Sequence, residues 1–148
     1  MWWRNNKRIP RKQSIQRLVM YEVLEELPMI FGAHNEKDES TCDLVLSGNK
    51  IVTRRPDMGR MYRLGETYAV QRGRGKTSEG RIMIVSIFYH SEWIQNNLRG
   101  RNAHDINRIL KHEAKQEGFL SWKGLLDYMA KHKININDTI RYRFKLIS

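Results

Sequence analysis

The strongest constraint on folding lies near the C-terminus, where Ile140, Tyr142, Phe144 and Leu146 alternate with Arg141, Arg143 and Lys145. Side chains along a strand point to opposite faces in turn, so this period of two predicts a half-buried strand with a cationic outer face. Other segments share the texture. Ile51 to Arg55 is β-branched and stops at Pro56, Thr67 to Gln71 follows the Leu64-Gly65-Glu66 turn, and Arg81 to Tyr89 follows the glycine-punctuated loop Arg72 to Lys76. Leu27 to Gly32 reads as a further short strand. The three central strands, joined by short loops, predict a small antiparallel sheet or barrel.

Helical periodicity appears elsewhere. Ala103, Ile106, Ile109, Leu110 and Ala114 step by three and four toward Gly118, a helix stop. Ser121 is an N-cap for a second helix with Trp122, Leu125, Leu126 and Met129 on its inner face. Asn35 to Leu46 reads as a short helix stopped by Gly48, and Ile15 to Leu27 as an amphipathic helix within which Val19 to Val23 also suits a strand. Strands flanking a helical pair place the chain in the α+β class, a small antiparallel or mixed β-barrel with flanking helices. The organisation is one domain over 27–148, preceded by a basic N-terminal arm and helix over 1–26.

Charge selects the partner. The formal net charge of +11 in 148 residues attracts polyanions, and it is segregated. Arg4, Lys7, Arg8, Arg11, Lys12 and Arg17 all precede the first acid, Glu22, and a second basic block runs from Lys50 to Arg81. Two such blocks are what an electrostatic footprint for phosphates requires, so RNA, DNA or an acidic protein are the candidate partners. A lone Cys42 forms no internal disulfide, which points to a reducing, cytoplasmic setting. No apolar run approaches the ~20 residues of a bilayer-spanning helix, and none follows the basic Met1 to Arg8 as a secretory signal needs, so no membrane partner is expected.

Two motifs lead nowhere. Gly73-Arg74-Gly75-Lys76-Thr77-Ser78 resembles the end of a phosphate-binding loop, but Val70 stands where its first glycine belongs and strands are expected on both sides. His112-Glu113 is followed by Gln116 where a helical zinc site places its second histidine, and one cysteine builds no structural zinc site, so no metal and no cofactor is expected. Glu117 is different. On a helical wheel it falls at about 320° from Ala103, within the apolar stripe of Ile106, Leu110 and Ala114. A carboxylate there is either exposed at the frayed end of the helix or met by a cation in a pocket, where its proton affinity is tuned. Lys50, just after the Gly48-Asn49 turn, is the candidate cation.

The string Leu46-Ser47-Gly48-Asn49-Lys50-Ile51-Val52-Thr53-Arg54-Arg55-Pro56, then Leu64-Gly65-Glu66, and later Glu113-Ala114-Lys115-Gln116-Glu117-Gly118-Phe119, resembles an ASCH domain over roughly Leu27 to Ile147. The resemblance implies a PUA-like fold, a small β-barrel with flanking helices and a cleft between them. In members that hydrolyse the amide of cytidine acetylated at its exocyclic amine, a lysine, a threonine and a glutamate form the active site. The matching catalytic positions are Lys50, Thr53 and Glu117. Other members are ribonucleases or RNA-binding modules. Strict alternation puts Lys50 and Thr53 on opposite faces, so both reach one cleft only if a kink or bulge follows the turn.

Three functions follow as expectations. The first is an RNA- or nucleotide-binding domain with Lys50, Thr53, Arg54, Arg55 and Glu117 lining the cleft. The arm, Arg72, Arg74 and Lys76, and Arg141 and Arg143 would contact phosphates. The second is a metal-independent amidohydrolase acting on an acylated pyrimidine, or an RNA hydrolase. The third is a basic protein-interaction or inhibitor module anchored by Trp2-Trp3 or Trp93.

Overall fold

The C-terminal alternation lies inside the sheet, with a partner on each edge. The computed structural model of the chain describes residues 28–58 and 62–148. Its strands are β1 (Met29–Ile30), β2 (Val52–Pro56), β3 (Thr67–Gln71), β4 (Ser78–Tyr89) and β5 (Thr139–Leu146). They form one sheet in the order β1-β3-β4-β5-β2. All neighbours run antiparallel except β1 and β3, which are parallel. The helices are α1 (Thr41–Leu46), α2 (His90–Asn97), α3 (Ala103–Gln116) and α4 (Trp122–Lys131). This mixed half-barrel with four flanking helices is the α+β architecture expected.

Ile140, Tyr142 and Phe144 of β5 are buried and join Met29, Phe31, Val70, Ile82 and Ile84 in the main core. Each such side chain contributes roughly 1.5–3 kcal/mol by leaving water, which fixes the strand's register. β4 carries an extra residue against β5. Ile84 pairs with Phe144 and Ser86 with Arg143, leaving Val85 unpaired. That bulge reverses the alternation: Ile87, opposite Tyr142, packs on the core, while Ser86 and Phe88 share the outer face with Arg143 and Arg141.

Several expectations change. β2 pairs with β5 and not with β3, although short loops favoured sequential pairing. The connection after β2 instead reaches Tyr62, whose ring meets Tyr68 and Tyr142 edge-on at 4.9 and 5.4 Å. The helix expected from Asn35 is only α1. Asn35 accepts from the Lys37 and Glu39 amides and so holds a tight turn in place of a helical one, and Ser40 caps α1. α2 was not anticipated. Leu126, expected inside, is 37% exposed. Arg141 is buried, so the outer face of β5 is not cationic throughout. The arm and the segment Ile15 to Leu27 lie outside the described residues. Among the described residues no helix is long and apolar enough to cross a membrane.

Phe119, Leu125 and Met129 form a second, smaller core with Trp122, Tyr128, Ile134 and Ile136. The turn before α1 is tied to it. Glu36 accepts hydrogen bonds from the amides of Leu120 and Ser121 at 2.8 and 3.0 Å, at the mouth of α4. Burial alone would raise its carboxyl, but these bonds outweigh that and hold it below the ordinary range. Glu36→Ala is therefore expected to cost about 1 kcal/mol in urea unfolding, like a lost helix cap. The loss should fade as pH falls through the carboxylate range, where the parent carboxyl is protonated too. An unchanged urea midpoint at neutral pH would contradict this.

Candidate functional site

α3 aims two carboxylates inward, one turn apart. On the wheel that placed Glu117 at about 320°, Glu113 falls at about 280°. Glu113 is 3% exposed and Glu117 2%. Glu117 ends the helix, and Gly118 follows with φ +93, a conformation that favours glycine. A Cβ on Gly118 would also lie 3.2 Å from Lys50 Cδ. Both the backbone turn and the lysine's route need glycine there.

Arg54 of β2 joins the two acids. Its Nη1 donates to Glu113 Oε2 at 2.7 Å and to Glu117 Oε2 at 2.6 Å, and its own amide donates to Glu117 Oε1 at 3.3 Å. Arg141 of β5 then grips Glu113 with two bonds, 2.5 and 3.1 Å. The result is a buried ladder, Glu117–Arg54–Glu113–Arg141, tying α3 to two adjacent strands. Burial would raise the Glu113 carboxyl, but Arg141 and Arg54 together pull it below the ordinary range. Arg54 Nε donates to His90 Nδ1 at 3.0 Å. Because a guanidinium only donates, His90 must accept there as a neutral imidazole. Burial and the Arg54 charge push its pKa down to about 4. Arg54 Nη2 has no hydrogen-bond partner among the described residues. The guanidinium carbon sits 4.9 Å from the Trp93 ring and 5.6 Å from Trp122, whose π-faces attract the cation.

Lys50 meets the other end of the ladder. It precedes β2, so strand alternation does not govern it, and the Ile51 amide bonds instead to Gln116 O at 2.9 Å. Lys50 Nζ donates to Val52 O at 2.7 Å and to Glu117 O at 2.5 Å, with Glu117 Oε1 at 3.7 Å. A neutral amine has two N–H bonds and one lone pair. Lys50 can therefore release its third proton and keep both carbonyl bonds, with Glu117 in reach of that proton. Burial pulls its pKa from 10.5 to about 8, although Glu117 pushes the other way.

These groups border a cavity of about 150 Å³ at the seam of the two cores. Lys50, Thr53, Arg54, Arg55 and Glu117 line one side, and Phe119, Leu125, Tyr128 and Met129 the other. Arg55 donates to Thr53 Oγ1 at 3.2 Å and to Ile30 O at 2.6 Å, and lies over Phe31 at 4.9 Å. Among the described residues no carboxylate forms an ion pair with Arg55. The cleft thus has a surplus of positive charge and a hydroxyl beside it.

The structure brings Lys50, Thr53 and Glu117 together with Arg54 and Arg55. It does not bring the expected phosphate contacts with them. Arg54 and Arg141 are turned onto Glu113 and Glu117, because an unpaired buried charge is costly, and neither presents its guanidinium to solvent as a phosphate contact needs. Arg72, on the β3–β4 turn, pairs with Asp43 and Glu79 at 2.8 and 2.9 Å, while Arg74 and Lys76 are exposed; none lines the cleft. Arg143 is exposed on the outer sheet face. Glu113, His90, Trp93 and Trp122 were not foreseen as one cluster. For Glu113 the signal existed: a second acid four residues before Glu117 on the same helix face. Among the described residues no group of three or more His, Cys, Asp and Glu could hold a metal ion.

No protein-family model matches the sequence, and no curated protein matches it. Solved structures similar to the chain include a DUF984-family protein from Enterococcus faecalis, 14% identical over 89% of this chain and 84% of that one, with a TM-score of 0.48. They also include an ASCH domain from Lactobacillus crispatus, 18% identical over 92% of this chain and 94% of that one, with a TM-score of 0.44.

Glu113→Ala would leave two buried guanidinium groups facing one remaining acid. It should destabilise the chain by about 3–5 kcal/mol in urea unfolding, the range for breaking a buried pair from one side. A loss below about 1 kcal/mol would show that the ladder is not what joins α3 to the sheet.

Proposed function

We propose that the cleft binds one planar base of RNA or of a free nucleoside or nucleotide. The observation that carries this reading is the cavity itself, concave, about 150 Å³, apolar on one wall and hydrogen-bonding on the other. A cavity of about that volume accepts a six-membered ring such as benzene, so a pyrimidine suits it better than a two-ring purine. The Thr53 hydroxyl and the Arg55 guanidinium would meet the acceptors on the base edge, while Phe119, Leu125 and Tyr128 exclude water. The surplus of cations favours an electron-rich edge or a nearby phosphate.

A second reading, hydrolysis of an acyl group on the exocyclic amine of such a base, is favoured by one observation, the Lys50 amine at about 8 beside Glu117. Glu117 or neutral Lys50 would take the proton from the attacking oxygen, either Thr53 or a water it orients. That oxygen bonds to the acyl carbon, Arg55 faces the oxyanion, and the proton returns to the departing amine as the C–N bond breaks. Where Thr53 is the attacking group, a water deprotonated in the same way then cleaves the Thr53 ester, releasing acetate and restoring the hydroxyl. The sequence resemblance supports the same three residues.

Titration calorimetry with cytidine and its N-acetylated form tests both readings. Glu117→Gln should weaken cytidine at least about tenfold and, on the second reading, reduce acetate release by 100-fold or more, about the share one acid–base group supplies. Binding by the parent without acetate release would leave the first reading alone standing. No binding of any pyrimidine nucleoside or nucleotide would overturn both.

A further inference from the structure

The bulge in β4 builds a second concave surface at the other end of the ladder. Phe88 and Ser86 stand beside Arg141 and Arg143 on the outer sheet face, and α2 and α3 close over them with Trp93, Asn96 and Gln116. The groove has a volume of about 440 Å³ and no acid lines it. Arg141 at its floor is held by Glu113, but Arg143 is exposed and has no ion-pair or hydrogen-bond partner among the described residues. Phe88 is a large apolar side chain left 38% exposed at this surface. Lys145 continues the same strand face beyond Arg143, and Lys111 and Lys115 of α3 are exposed too.

We propose that this groove is a nucleotide subsite for single-stranded RNA, with a base against Phe88, its edge met by Asn96 and Gln116, and a phosphate on Arg143. The proposal rests on the RNA form of the reading above and places a second nucleotide of the strand outside the cleft. An aromatic face beside a free guanidinium is the pairing that single strands use, since every base stacks and every linkage carries charge. Side-chain amides add donors and acceptors that a base edge can use. An acidic peptide would satisfy Arg143 but gain nothing from Phe88. Ser86 and Phe88 reach this face only because Val85 is unpaired, so the aromatic and the cation are joined by a specific distortion of the sheet.

The test uses the full chain and a fluorescein-labelled oligouridylate of about ten nucleotides, followed by anisotropy over a range of salt. Phe88→Ser and Arg143→Ser should each weaken RNA at least fivefold, the low end for one base stack. Arg143→Ser should also make the log–log salt slope shallower by about 0.7, one phosphate of a single strand. Cytidine binding in the cleft should be unchanged in both. Asn96→Ala, at an exposed helical position, serves as a third variant if Phe88→Ser fails to fold. If the parent binds RNA and these variants match it in affinity and slope, the groove is not a subsite, and the cleft reading survives. If polyglutamate binds the parent as tightly as the RNA and is weakened only by Arg143→Ser, the groove is a plain anion patch and the proposal falls. If the parent binds no RNA at all, the RNA reading and this proposal fall together, and cytidine binding decides what the cleft does.

Discussion

A single guanidinium organises this protein. Arg54 stands on β2, an edge strand, yet its side chain is fully buried beneath α3, and a charge in that position persists only if acids come to it. Glu113 and Glu117 do so from one face of α3, which fixes the helix against β2 and, through Arg141, against β5. Three cations, Lys50, Arg54 and Arg141, then meet two anions. The remaining positive charge lies at the cleft, where Lys50 is the group best able to shed it as a proton.

The same arrangement explains why the cleft exists where it does. The main core belongs to the sheet, and the smaller core belongs to α4 and the chain after it. Two apolar clusters that meet across a row of ionic groups cannot close completely, because the polar atoms must remain hydrogen-bonded. The cavity is the seam left over. Gly118, whose missing side chain leaves room for the Lys50 stem, lets that lysine reach the cavity's edge.

Much of this is legible in the sequence. The alternation of β5, the turn-bounded β3, the cap at Ser121, and the stop at Gly118 are local signals, and local physics decided them. Glu117 betrayed itself by violating a packing rule, and Lys50 by its place after a tight turn. The strand order was not legible, since pairing β2 with β5 joins segments far apart in sequence and leaves no local trace. Nor was the fate of the arginines. Charge runs show that a chain is basic but not which cations are consumed inside, and Arg54 and Arg141 look no different from Arg55 and Arg143 until Glu113 is placed. The β4 bulge was hidden for a related reason: Ile82, Ile84, Ser86 and Phe88 share one parity, and only the partner strand shows where the face switches.

The central claim is that burial beside the ladder makes Lys50 a proton-exchanging amine at the cleft. Carbon-detected NMR of the lysine side chains, followed across pH, addresses it directly. The account requires the Lys50 amine to titrate near 8, well below the 10.5 of a solvated lysine. Between those two values the unfolded chain holds the extra proton, so this lysine's contribution to stability should rise with pH across that window. A Lys50 resonance that titrates with the surface lysines would contradict the account.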